Sequence, residues 1–149
     1  ASGKFPVDEV LRFAEFDESG RSLRDHWQTI IDDATKRLGG VDDSRCRVTV
    51  TDRFGGRGHD YQVLDDLANS KGGMLVITTT VPDEREWTQW KGRTARQDRP
   101  GQFVVVLNKE APPLSEKGGE QLVSKLKRTS NEDAKIELLL EVADDGIGA

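Results

Sequence analysis

Three short β-branched runs constrain this chain more than any other feature: RVTV at 47–50, MLVITT at 74–79 and FVVVLN at 103–108. Each has strand length, and their unbroken apolar character suits strands covered on both faces, as in a parallel sheet flanked by helices. The stretches between them, around 61–70 and 84–95, are long enough to serve as crossovers. Right-handed crossovers would then stack the strands into one sheet. The expected fold class is α/β, a mostly parallel sheet flanked by helices.

The flanking regions read in the same terms. Leu23, Trp27, Ile30, Ile31, Ala34 and Leu38 recur at helical spacing, which predicts an amphipathic helix over 22–38. Ser22 with Asp25 three residues later forms a capping signal, and Gly39 with Gly40 supplies the stop. Ahead of it, VLRFAEF at 10–16 is expected to be a strand. EAPPLSE, at 110–116, reads as a linker, followed by polar helices at 116–128 and 131–144. In the second of these, Ser130 and Asp133 would cap the start, while Ile136, Leu140 and Ala143 form a narrow apolar stripe. This organisation divides the chain into a domain at 1–110 and a helical extension at 111–149.

Bulk properties exclude some functions. A length of 149 residues is that of a single domain with its own core. Cys46 is the only cysteine, so no internal disulfide can form, and no secretory or transmembrane apolar run occurs. A reducing, cytoplasmic compartment is expected. The net charge of −5 disfavours a broad nucleic-acid surface. Two histidines and one cysteine, without a C-x-x-C pair, give no metal set, so no metal is predicted. The chain opens on Ala1 instead of methionine and is expected to be an excised piece of a longer protein.

Chemistry is expected where strands end. In open α/β sheets the ligand crevice lies at the carboxyl ends of the strands, and VTVTDRFGGRGHD runs from a strand directly into such an end. Glycines 55, 56 and 58 permit positive φ and close approach of a ligand. Arg57 between them must be solvated or paired. In QWKGRTARQ, at 89–97, Arg93 and Arg96 share one helical face with Gln89 a turn earlier. Both arginines are expected to be exposed. Trp87 and Trp90 are expected to pack between helix and sheet.

Three of these segments together resemble the last conserved motifs of superfamily-two helicases, and more closely those of the SecA-type preprotein translocase motor. GGRGHD at 55–60 is similar to that family's AGRGTD, GGMLVITT at 72–79 to its glycine pair and strand, and QWKGRTARQ at 89–97 to its QLRGRSGRQ. Order and spacing agree, and the resemblance covers about residues 47–108. The GRTARQDRPGQ run is also similar to Swi2/Snf2 remodellers. His59 stands where the family has threonine, Gly55 where it has alanine, and Asp98 where it has glycine.

The resemblance implies a second RecA-like half that completes an ATP site built mostly by another domain. Gly56, Arg57, Gly58 and Asp60 would line the nucleotide cleft, Gln89 would communicate its state, and Arg93 and Arg96 would reach the phosphates. ATP with Mg²⁺ would be bound mainly by the N-terminal RecA-like domain of the parent chain, with a polypeptide as possible client. A G-x-x-x-x-G-K-[ST] loop is missing: ASGKF has Phe5 where a hydroxyl should follow. Residues 1–149 alone should therefore be inactive. Two other readings stand beside this one: a non-catalytic interaction module derived from the same fold, and part of a nucleic-acid helicase.

Overall fold

The computed structural model describes residues 9–39, 45–95 and 98–147, with side chains described as far as 142. The strands are β1 (Val10–Phe13), β2 (Val48–Thr51), β3 (Met74–Thr78) and β4 (Gly101–Val105). The helices are α1 (Trp27–Ala34), α2 (Asp66–Ser70), α3 (Glu84–Lys91), α4 (Gly119–Arg128) and α5 (Glu132–Ile147), with 3-10 turns at Arg24–His26 and Arg53–Gly56. The class is α/β, as the alternation of apolar runs and helical stretches predicts.

Among the described residues the expected single sheet is not formed. The strands make two separate pairs, β1 with β2 and β3 with β4. Nor is β3 covered on both faces: Leu75 and Ile77 are 50% and 56% exposed, while Thr78 is buried. A continuous apolar run thus behaves as a half-covered strand of period two. The chain divides into two compact units, one of Ala1–Leu75 with Gln89–Gln102 and one of Val76–Thr88 with Phe103–Ala149.

In the first unit β1 and β2 run parallel, with Val10 opposite Val48 and Phe13 opposite Thr51. A parallel pair needs a long connection, here the segment that carries α1. The apolar face of α1 packs Trp27, Ile30, Ile31 and Ala34 around fully buried Phe13, together with Tyr61, Phe54 and Met74. Those four helix residues have the i, i+3, i+4, i+7 spacing that puts them on one side.

The helix is shorter at both ends than its periodicity suggests. At the start, Ser22 pairs with Phe16 in an isolated bridge, and its hydroxyl accepts from Arg24 N at 3.3 Å. Ser22 therefore precedes one 3-10 turn, and the α-helix begins only at Trp27. At the end, Arg37 pairs with Cys46 in an antiparallel bridge and Leu38 N donates to the Arg45 carbonyl at 3.2 Å. Leu38 is drawn into this pairing, so the stop comes at Ala34, ahead of the glycine pair. Gly40 lies outside the described residues.

The second unit buries Trp87, Leu114, Leu122, Ile136 and Leu139, against which Phe103, Val105 and Leu107 pack. The helices expected as an extension thus form one core with the end of β4. α3 starts with a reciprocal box: Glu86 N donates to Asp83 Oδ1 at 2.7 Å and Asp83 N to Glu86 Oε2 at 3.2 Å. The first turn of α5 also serves the core. Glu132 accepts from Val105 N at 3.1 Å, and Asp133 from the Trp87 indole at 2.9 Å. Asn131, not Ser130, caps α5, accepting from Ala134 N at 3.2 Å. Its buried stripe runs through Ile136 and Leu139; the side chain of Ala143 lies outside the described residues.

No helix among the described residues is long and apolar enough to cross a membrane.

Candidate functional site

The segment after β2 turns at once. Asp52 accepts from Phe54 N at 2.8 Å and starts the 3-10 turn Arg53–Gly56. Gly55 is buried, and the Tyr61 hydroxyl returns to donate to its carbonyl at 2.9 Å. Burial of that phenol pushes its pKa up to about 12, although Arg93 opposes the shift.

The three glycines of this segment are needed for different reasons. A Cβ on Gly55 would lie 2.2 Å from Thr51 Oγ1, and one on Gly56 would lie 2.3 Å from both Cδ1 and Nε1 of Trp90. These two are clearance positions. Gly58 has φ +68° with open space around it, so only its backbone conformation calls for glycine.

His59 is half-buried and sits against an aromatic cluster at the edge of the cleft. Its ring meets Phe13 and Phe54 edge-on with centroids 4.9 Å away in each case, and Trp27 at 5.9 Å. Desolvation, with Arg93 as a second cause, lowers its pKa below the ordinary 6.5. Asp60 projects outward, accepting from the Gln62 amide at 2.7 Å, and Arg57 is likewise exposed.

The second arginine segment lies against the first. Trp90, 8% exposed, fills the clearance at Gly56. Arg93 follows the end of α3; its Nε donates to the Gln89 carbonyl at 3.1 Å and its Nη1 to the His59 carbonyl. Arg93 is therefore half-buried and tied to backbone, contrary to the expectation of an exposed side chain. Its fixed fork suits two carbonyls at once. Gln89 is also half-buried. Arg96 and Gln97 lie outside the described residues.

Of the seven candidate residues, the fold joins Gly56 to the Trp90 turn and Arg93 to both His59 and Gln89. Arg57, Gly58 and Asp60 remain at the surface. Gly58 and Asp60 line a cleft of about 1000 Å³ with Gln28, Asp32, Lys36 and Asp65. Asp65 has a lowered pKa because it accepts from Ala68 N and then from Arg37, whose Nε lies at 2.6 Å. The cleft offers both charges and many hydrogen-bonding groups. Among the described residues no group of three or more His, Cys, Asp or Glu converges as a metal set.

Sequence reasoning missed four contributors: Tyr61, Thr94, Arg99 and the glycine pair as a packing device. The Thr94 hydroxyl is buried and donates to the Met74 carbonyl at 2.6 Å. A Cβ on Gly73 would lie 1.9 Å from the Pro100 carbonyl oxygen, so the glycines before β3 admit the loop before β4. The G-G doublet was visible in the sequence, but its partner is distant along the chain. No protein-family model and no solved structure matches the chain.

Proposed function

We propose that this chain is the second RecA-like half of a SecA-like ATP-driven motor, supplying arginines and cleft residues to an ATP site completed by another domain. One observation carries the reading. The two segments that resemble AGRGTD and QLRGRSGRQ pack directly against each other. Gly56, which matches the first glycine of AGRGTD, lies against Trp90, and a Cβ at 56 would sit 2.3 Å from the Trp90 ring. Close packing of this kind is expected of motifs that act together, and the Arg93 bond to the His59 carbonyl joins them a second time.

The division of labour follows from the side chains. Arg93 spends its Nε and Nη1 on the Gln89 and His59 carbonyls, and so supports the turn that presents Gly58 and Asp60. Arg96 is the residue we assign to the phosphates, where a permanently charged planar fork stabilises charge on the transferring phosphoryl group. Gln89 lies one turn before Arg93 and would relay movement of that arginine to α3. Asp60 offers a carboxylate to the cleft. Mg²⁺ and the phosphate cradle fall to the partner domain, since the described residues do not form a metal set. A net charge of −5 favours a polypeptide client over a nucleic acid.

The test is steady-state phosphate release by the parent protein, or by this chain mixed with its N-terminal half. Arg96→Ala should lower turnover by about 10³–10⁵, and Arg96→Lys should not restore it. Arg93→Ala should lower both turnover and thermal stability, because it also strips two carbonyls of their donor. Near-normal turnover in Arg96→Ala would sink the motor reading and leave an interaction module.

A further inference from the structure

The loop that joins Arg93 to β4 is held under constraint from several sides. Ala95 and Asp98 take left-handed backbone, with φ of 54° and 59°. Residues with a side chain resist that conformation and keep it only where surrounding structure imposes it. Clearance around the loop is minimal: a Cβ on Gly73 would meet the Pro100 carbonyl oxygen at 1.9 Å, and one on Gly101 would meet Ala95 N at 2.2 Å. Thr94 is bonded to the Met74 carbonyl at 2.6 Å.

Two guanidiniums then close the loop onto the segment after the glycine turn. Arg93 Nη1 donates to the His59 carbonyl, and Arg99 Nη1 donates to the Val63 carbonyl. Both arginines are half-buried, where a charge-assisted bond to a carbonyl is strong. The carbonyls flank Asp60 and Tyr61, so both ends of the strained loop are fastened to the same short stretch that faces the cleft. Arg99 lies beyond the segment that resembles QLRGRSGRQ, so that comparison assigns it no role, although it falls inside the run similar to Swi2/Snf2 remodellers.

We propose that Arg99 is a positioning residue: by latching Val63 it holds the left-handed backbone at Asp98 and fixes the stretch 59–63, on which Arg93 is also seated, where it would face nucleotide in the cleft. The proposal rests on the motor reading above. Arginine suits the task because its donors are fixed in one plane, whereas a lysine ammonium on a flexible stem would hold the carbonyl without fixing the angle. The charge alone would not be enough.

Two measurements test it. Hydrogen exchange of this chain should show amides in 59–65, 93–95 and 98–101 exchanging about tenfold faster in Arg99→Ala, with α4 and α5 unchanged. In the parent, Arg99→Ala should lower kcat by roughly 10²-fold while KM for ATP stays within about twofold, the signature of a misplaced group and not of lost binding. Arg99→Lys should restore most of the exchange protection but only part of kcat. It also carries the comparison if Arg99→Ala does not fold. Unchanged exchange in Arg99→Ala would overturn the latch. Faster exchange with unaltered kcat, or a raised KM at constant kcat, would overturn the positioning role while the motor reading stands. No turnover in the unsubstituted parent would refute the motor reading and the positioning role with it.

Discussion

The contact between Gly56 and Trp90 can be measured as a coupling energy. An alanine Cβ at 56 would lie 2.3 Å from two atoms of the indole, far inside ordinary contact. The neighbour that must yield is a buried ring and not the loose end of a flexible chain, since Trp90 is 8% exposed. Overpacking of this sort costs about 1–3 kcal/mol. Trp90→Leu alone removes part of a buried aromatic and should cost roughly 2–4 kcal/mol through lost contacts and the space left behind. Together the two changes should cost less than their sum, because the leucine vacates the volume that the new methyl enters. The coupling should be about 1–3 kcal/mol in favour of the pair. Urea denaturation followed by circular dichroism, on the wild type, both single variants and the double variant, gives the four free energies. With roughly 2–4 °C of melting temperature per kcal/mol at this size, thermal melts provide an independent check. Additive costs would show that the indole does not occupy the position argued for it, and would remove the main support for the motor reading.

Two further outcomes concern His59 and a comparison of Gly58 with Gly73. His59 has a folded pKa below its unfolded value of 6.5, so its contribution to stability is fully present above that pH and is lost as pH falls from there toward the folded pKa, where only the unfolded chain takes up the proton. The urea midpoint should therefore drop between about pH 7 and pH 5, and His59→Gln should flatten the slope; an equal slope in both proteins would exclude His59 as its source. Gly58→Ala should cost about 1–2 kcal/mol from its left-handed backbone alone. Gly73→Ala should cost more, because it adds a 1.9 Å encounter with the Pro100 carbonyl to the same backbone strain; equal melting temperatures for the two variants would refute the clearance argument.

Much of this protein is legible in its sequence because the relevant physics is local. Apolar runs located the strands, and helical spacing located α1 and α5 to within a turn or two of their ends, since burial of one face is encoded by residues close along the chain. Glycine chemistry marked Gly58, where the need is conformational and depends on its own φ. What lay beyond the sequence depends on contacts between distant residues. The end of α1 at Ala34 is decided by pairing of Arg37 with Cys46, which overrides the helical period. The strands form two pairs instead of one sheet, a matter of which edges meet and not of what each strand contains. Gly56 and Gly58 look alike in the sequence, yet one makes room for Trp90 and the other needs only a turn of the backbone. Arg93 reads as a solvated helical charge, and the tertiary fold makes it a half-buried clasp on the His59 carbonyl. A side chain's propensity belongs to its neighbours along the chain, whereas clearance and partnership belong to atoms that only folding brings within reach.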